Sequence, residues 1–306
     1  MGRARGGKNS AVQTRASGAA ADERILVIGD LHIADKRAGA FLVAKNSILS
    51  KLSGIYQEII LLGDIFDKTP TTVERIAFAI FLKELKQFSQ NIILIKGTKS
   101  HDYAQGEYHL EDLVTLGQIK AYLTHTHRNF IFGHFEVAGA EYSNGFKAQE
   151  DNEIDPEKTY ILGHIHKPQD YKNIHFVGSV YRTDFSEEKE NKRILEIING
   201  ELNFIPIASQ DMQTYDIKSI AGGRIGVHSI PMDVRLVDTV SSAALPEINA
   251  AINSLKNSTE IEYYQEDIRI IEAEVELPKN LNEAELLKGY CESKGIDYVL
   301  IKEELP

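Results

Sequence analysis

The feature that most constrains this chain is a repeated junction, in which an apolar run stops at a glycine and ligand-type side chains follow at once. It occurs five times between residues 29 and 166: Gly29-Asp30-Leu31-His32, Gly63-Asp64-Ile65-Phe66-Asp67, Gly97 with Ser100-His101-Asp102, Gly133-His134, and Gly163-His164-Ile165-His166. The runs that lead into the first three, "RILVIGD", "EIILLGD" and "NIILIKG", read as strands buried on both faces, as in a sheet covered on each side. In open α/β sheets ligands bind outside the carboxyl ends of the strands, so these loops are expected to converge on one rim. Glycine lets the backbone turn sharply there without a Cβ clash. In an extended Asp-x-His or His-x-His the two side chains share one face, because the strand period is two.

From Arg24 to about residue 207 short apolar strands alternate with amphipathic helices. Phe41–Leu52 and Thr72–Phe88 read as helices, the second with Val73, Ile76, Ala77, Ile80, Phe81 and Leu85 on one stripe. The later strands, "NFIFGHFEV", "TYILGHIH", "IHFVGSV" and "RILEIINGELNFIPI", follow with fewer helices between them. A βα half followed by a mainly β half predicts two packed sheets with helices outside. Beyond about residue 209 no metal-type constellation appears. A strand "VRLVDTV", a helix with Leu245, Ile248, Ala251, Ile252 and Leu255 aligned, a strand "IRIIEAEVEL", a helix Asn282–Ser293 and a strand "DYVLIK" suggest a small α+β domain. The expected organisation is therefore a leader or tag over 1–21, a main domain over 22–208 and an accessory domain over 209–306.

Residues 1–21 carry no periodicity, no acidic residue and no apolar segment of signal-peptide length, and are expected to be disordered. An organellar transit peptide shares that composition and is the alternative. No apolar run approaches the ~18–20 residues that span a bilayer. The single cysteine, Cys291, excludes an internal disulfide or a cysteine-cluster zinc site, points to a reducing compartment, and falls on the apolar stripe of the last predicted helix. Without the four basic residues of the leader the balance is 30 basic against 45 acidic, a net charge of −15. That argues against broad polyanion binding. A nucleic-acid enzyme with this charge needs a local basic patch, a bound cation or a partner subunit.

The inventory at the five junctions is carboxylate, imidazole and hydroxyl, without thiolate, which favours Mn²⁺, Fe²⁺ or Zn²⁺ over an all-oxygen Ca²⁺ site. Six or seven ligands exceed one tetrahedral ion and suit two ions sharing a bridging carboxylate. Such a pair activates a water and clamps the oxygens of an in-line phosphoryl displacement.

The order of these motifs resembles the calcineurin-like metallophosphoesterase superfamily, whose signature runs D-x-H, G-D-x-x-[DH], G-N-H-[DE], G-H, G-H-x-H. Within it, "VGSVYRTDFSEE" (Val177–Glu188), "GDLHIADKR", "GDIFD" and "FGHFEV" look like SbcD-type DNA repair nucleases. The resemblance implies a four-layer αββα sandwich with a small C-terminal capping domain. It also implies a Mn²⁺-dependent 3′→5′ exonuclease and single-strand endonuclease, paired with an SMC-like ATPase of the SbcC type, homodimeric and cytoplasmic in a bacterium or an infected cell. Carried over by position, Asp30, His32, Asp64 and His166 hold one ion. Asp64, Ser100, His134 and His164 hold the other, with Asp64 bridging. His101 is the catalytic acid and Asp102 its orienting partner. The departure is the loop Gly97-Thr98-Lys99-Ser100-His101-Asp102, which lacks the asparagine and carries two extra residues. Longer relatives continue into a helical segment that docks on the ATPase, whereas this sequence ends at Pro306, which suggests a compact version or another docking surface.

A small-molecule or phosphoprotein phosphoesterase built on the same core is the alternative activity, and a weakly catalytic scaffold for the ATPase is the non-enzymatic one. His125 and His127 lead into a strand instead of leaving one and read as structural, as do His109, His175 and His228. Asp67 reads as a support or DNA contact, Arg182 and Asp184 as an ion pair behind the His164/His166 loop, and Tyr142, Ser143 and Asn144 as candidate substrate contacts.

Overall fold

The computed structural model describes residues 23–101, 120–221, 233–241, 245–257 and 263–271. The first strands are the aliphatic runs: β1 (Arg24–Ile28), β2 (Glu58–Leu61) and β3 (Ile92–Ile95), with β4 (Lys120–Tyr122) beside them. They are parallel neighbours, and β1 also pairs antiparallel with β10 (Arg193–Ile198), itself paired with β11 (Glu201–Pro206). The resulting six-stranded sheet has the order β11-β10-β1-β2-β3-β4. A second sheet is built from β5 (Thr124–His127), β6 (Phe130–His134), β7 (Thr159–Gly163), β8 (Gln169–Tyr171) and β9 (Ile174–Phe176), in the order β5-β6-β7-β9-β8. Strands β6, β7 and β9 run parallel, with an antiparallel strand at each edge.

Alternation along the strands sorts the core into layers. Ile25, Val27, Ile60, Leu62, Ile93 and Ile95 face Phe130, Phe132, Ile161 and Val177 between the sheets. Leu26, Ile28, Ile59, Leu61, Ile92 and Leu94 point the other way, onto α1 (Ala38–Lys51) and α2 (Thr72–Leu85). On the outer face of the second sheet, Tyr160, Leu162, Ile174 and Phe176 are closed over by Val137, Ala140 and Ala148 from the connection after β6. This is the sandwich the motif order implied.

Helix α2 starts on a capping box: Glu74 N–H donates to Thr71 Oγ1 (3.2 Å) and Thr71 N–H to Glu74 Oε2 (2.7 Å). Its buried ridge is Phe78, Phe81, Leu82 and Leu85, whereas Val73, Ile76 and Ile80 of the predicted stripe are about half exposed or more. The segment expected as a single strand, Arg193–Ile207, instead folds back on itself. Asn199 (φ 53°) and Gly200 (φ 88°) form its tip, the Asn-Gly pair that suits a tight hairpin.

The chain divides into two compact units. The first comprises Met1–Thr214, Pro231–Val234 and Thr259–Tyr264 and holds both large sheets. The second comprises Tyr215–Ile230, Arg235–Ser258 and Gln265–Pro306 and holds α3 (Ile217–Ala221) and α4 (Leu245–Lys256), whose Ile217, Ile248, Ile252 and Leu255 are buried. A three-stranded sheet of β12 (Met212–Asp216), β13 (Asp233–Ser241) and β14 (Tyr263–Ile271) runs in that order. The predicted helix Asn282–Ser293, with Cys291, and the strand "DYVLIK" lie outside the described residues. No described helix is long and apolar enough to cross a membrane.

Candidate metal centre

The carboxyl ends of β1, β2, β3, β6 and β7 do converge, and their side chains form interlocking groups: Asp30, His32 and His166; His32, Asp64 and His101; and Asp64, His134 and His164. The backbone is held under strain to achieve this. His32 (φ 42°), Asp64 (φ 42°) and His164 (φ 80°) all adopt the left-handed region that non-glycine residues avoid. The contacts that impose it are specific. Leu31 and His32 N–H groups both donate to the Asp64 carbonyl (3.1 and 2.9 Å), and Tyr181 OH donates to the His32 carbonyl. Gly163 has no room for a side chain: a Cβ there would lie 2.4 Å from Asp30 Oδ1 and 2.8 Å from His134 Nδ1. Only glycine lets β7 pass this close to the carboxylate.

His134 and His166 are each pinned through Nδ1, which leaves Nε2 aimed inward. His134 Nδ1–H donates to the Leu62 carbonyl (2.6 Å), so Nε2 faces Asp64 Oδ2 at 3.2 Å. His166 Nδ1 bonds Thr183 Oγ1 and Glu187 Oε1, both at 2.9 Å. Its Nε2 then lies 2.9 Å from His32 Nε2. Two nitrogens with inward lone pairs at that spacing match adjacent ligands of one cation with bonds of about 2.0–2.1 Å. Asp64 Oδ2, 3.2 Å from His134 Nε2 and 3.8 Å from His32 Nε2, stands between the two groups. Asp64 Oδ1 accepts from Thr98 N–H (2.7 Å) and Thr98 Oγ1 (3.1 Å), and Asp30 Oδ2 from His164 N–H (2.9 Å).

The electrostatics show a centre short of positive charge. Burial pushes the Asp30 carboxyl up to about 6, against the pull of His134 and His166. Burial acts on Asp64 too, but the hydrogen bond and charge of His134 outweigh it and hold that carboxyl well below its usual range. Burial lowers His134, yet the charges of Asp30 and Asp64 win and raise it to about 9. Burial and then the charge of its neighbour put His32 (beside His166) and His164 (beside His134) below the ordinary imidazole value. Asp30 Oδ1, His32 Nδ1 and His134 Nε2 are buried with no hydrogen-bond partner. Buried polar atoms without partners beside three interlocking histidine–carboxylate groups are what a cation site leaves behind. The residues present therefore fit divalent ions.

The loop after β3 is the irregular part. Ser100 is exposed and its hydroxyl meets Thr98 Oγ1 at 3.1 Å, whereas Thr98, directly after Gly97, is the residue that touches Asp64. His101 packs edge-on against His32 (4.8 Å between ring centres) with Nδ1 on the Asp67 carbonyl (2.9 Å). Asp102 and His109 lie outside the described residues, as does His228. Asp67 stands 3.9 Å from His32 and pairs with Lys36. Tyr142 OH approaches His164 Nε2 at 3.4 Å.

The "GSVYRTDFSEE" segment supplies what sequence reasoning missed. Buried Glu187 joins His166, Thr183, Ser179 and the buried Lys192 (Nζ–Oε2 2.5 Å), and Lys192 also reaches Glu190 and the His166 carbonyl. Burial opposes ionisation of Glu187, but Lys192 outweighs it and keeps the group anionic; Glu187 in turn raises His166. The expected Arg182–Asp184 ion pair is not what forms. Arg182 donates to the Gln210 and Glu190 carbonyls, while Asp184 caps the next turn by accepting from Ser186 N–H.

Residues 24–194 match the model of the calcineurin-like phosphoesterase superfamily domain. The chain belongs to that superfamily. It is accordingly a metal-dependent phosphoester hydrolase, and the converging rim carries candidate metal-ligand groups. A cold-active protein-tyrosine phosphatase of a psychrophilic Shewanella species is structurally similar at 10% identity, covering 60% of this chain and 80% of that one, with a TM-score of 0.33. A search among curated proteins finds no match.

Proposed function

We propose that the protein is the Mn²⁺-dependent nuclease subunit of an SbcCD-type DNA repair or recombination complex, cleaving phosphodiesters by two-metal hydrolysis. In this proposal Asp30, His32, Asp64 and His166 hold one ion, and Asp64, His134 and His164 the other. Ser100 completes the ligand set of the second ion, beside Thr98, which holds Asp64 Oδ1. Two divalent ions there supply Lewis acidity, lowering the pKa of a water and neutralising charge on the phosphoryl group. The protein's own part is positioning. Leu62, Thr183 and Glu187 fix the imidazole tautomers. His101, with Nδ1–H donated to the Asp67 carbonyl, is free to present Nε2–H to the leaving oxygen when protonated.

The observation that carries the nuclease assignment is the wiring of Val177–Glu188. This segment, which resembles that of SbcD-type nucleases, is built directly behind His166 through Ser179, Thr183 and Glu187. The net charge of −15 outside the leader counts against broad DNA binding, so the proposal requires bound cations or a partner, here an SMC-like ATPase, at the DNA contact. The exposed apolar side chains Leu42, Val73, Ile76 and Ile80 support pairing of two copies.

The test is Mn²⁺-dependent release from 3′-labelled DNA beside hydrolysis of bis-p-nitrophenyl phosphate and p-nitrophenyl phosphate. A nuclease cleaves the DNA and the diester and leaves the monoester nearly untouched. Hydrolysis of the monoester alone would assign the protein to the phosphatases.

A further inference from the structure

A second histidine–carboxylate group lies at the amino end of β2. His125 and His127 alternate with exposed Thr124 and Thr126 on β5, so both imidazoles fall on one face, turned toward Glu58 at the start of β2. The strand β5 edges the second sheet and β2 lies within the first, so this group bridges the two. Glu58 precedes Asp64 by six residues, which at about 3.3 Å per residue puts it roughly 20 Å from the rim.

The geometry is that of converging ligands. His125 Nε2 lies 3.1 Å and His127 Nδ1 3.3 Å from the same oxygen, Glu58 Oε2. Those separations match neighbouring ligand atoms around one tetrahedral ion with bonds of about 2.0–2.1 Å. Two of the three ligands are oriented from behind. His127 Nε2–H donates to Glu23 Oε1 (2.7 Å), whose other oxygen pairs with Arg128 (2.5 Å), and Asn91 donates to Glu58 Oε1 (3.2 Å). With Nε2 held by Glu23, the ring of His127 turns Nδ1 onto Glu58 Oε2. A carboxylate oxygen approached by two imidazole nitrogens at this spacing attracts a cation. The ring of His125 is fixed as well, stacked on Phe132 at 6.0 Å and 27°. Side-chain exposures of 14–21% leave the group reachable and allow water as a fourth ligand.

We propose that Glu58, His125 and His127 form a separate transition-metal site that takes Zn²⁺ and pins the edge strand β5 to β2. Two imidazoles and one carboxylate suit zinc better than Mg²⁺ or Ca²⁺, and the Glu23–His127 contact is the carboxylate support metal-bound imidazoles ordinarily receive. The closed loop from Glu58 to His125 contains Asp64 and the Gly97–His101 segment, so the ion stabilises the fold around the rim without touching it.

The experiment is zinc content by elemental analysis after Zn²⁺ loading and gel filtration, on the full chain and on His125→Gln/His127→Gln. Folding of both is checked by circular dichroism. The proposal expects one zinc fewer per chain in the variant, however many the rim retains, so the result is independent of the rim's own assignment. It also expects the wild type alone to gain roughly 5–10 °C of Tm from this site at a hundredfold excess of Zn²⁺ over its Kd. Glu58→Gln, which keeps side-chain volume and an oxygen for Asn91, decides the matter if the double variant fails to fold. Equal zinc content in the folded proteins overturns the proposal.

Discussion

Strand β2 carries a histidine–carboxylate set at each end, and the two are built on opposite terms. At the carboxyl end, Asp30, His32 and Asp64 are at most 2% exposed, three ligand-type residues sit in the left-handed backbone region, and three buried polar atoms lack partners. At the amino end, Glu58, His125 and His127 are half-buried, none has a positive φ, and Glu58 is hydrogen-bonded through both carboxylate oxygens. Strained backbone and orphaned buried groups each cost on the order of 1–3 kcal/mol. A fold retains them together only where the site demands them. The amino-end set has no such cost and can serve stability alone. The difference separates a reactive centre from a staple even though the residue types are the same.

The contrast is tested most severely at its shared strand. Asp64→Asn is expected to abolish phosphodiesterase activity and lower bound Mn²⁺ while the chain stays folded, because one carboxylate oxygen serves both groups. Cleavage at the wild-type rate would remove the bridging assignment. His101→Ser should lower turnover by roughly 10²–10⁴-fold with Mn²⁺ content unchanged, the range for a lost acid or base. A parallel fall in metal content, read by elemental analysis, makes His101 a ligand beside His32 and Asp64 instead. Glu187→Gln should weaken Mn²⁺ binding roughly 10–100-fold, with activity recovered at high Mn²⁺, as expected for the group that orients His166. Titration of activity against Mn²⁺ reads this directly.

The pH dependence sharpens the same point. In the metal-free protein His134 is raised to about 9, so at pH 7 it holds a proton that an ion must displace. Mn²⁺ affinity should therefore climb up to about tenfold per pH unit as pH rises toward 9, and flatten above it. Isothermal titration at pH 6.5, 7.5 and 8.5 measures the slope. At the other end of β2, Glu58→Gln should leave Mn²⁺-dependent turnover within about twofold, since no contact links it to the rim.

Much of the rim was legible because its signal is local. A glycine closing an aliphatic run, followed by Asp, His or His-x-His, states both the turn and the ligand, and five such junctions place the loops at one edge. The helix and charge patterns were less decisive. In α2 two apolar ridges coexist, Val73-Ile76-Ile80 and Phe78-Phe81-Leu82-Leu85, and periodicity does not say which one meets the sheet. Glu187 and Lys192 sit in "DFSEEKENKR", a charged run with no periodicity that marks either as buried. Their burial is a tertiary fact, made possible because each neutralises the other behind His166. Thr98 and Ser100 differ for a similar reason: the sequence shows two inserted residues, but only the backbone path after Gly97 decides which hydroxyl reaches Asp64.

The central claim is that the rim holds two divalent ions bridged by Asp64. Anomalous scattering from crystals soaked in Mn²⁺ tests it most directly. Two peaks are predicted, each about 2.0–2.3 Å from an Asp64 carboxylate oxygen, one also beside Asp30, His32 and His166 and the other beside His134 and His164. A single peak, or peaks that leave Asp64 unliganded, would contradict it.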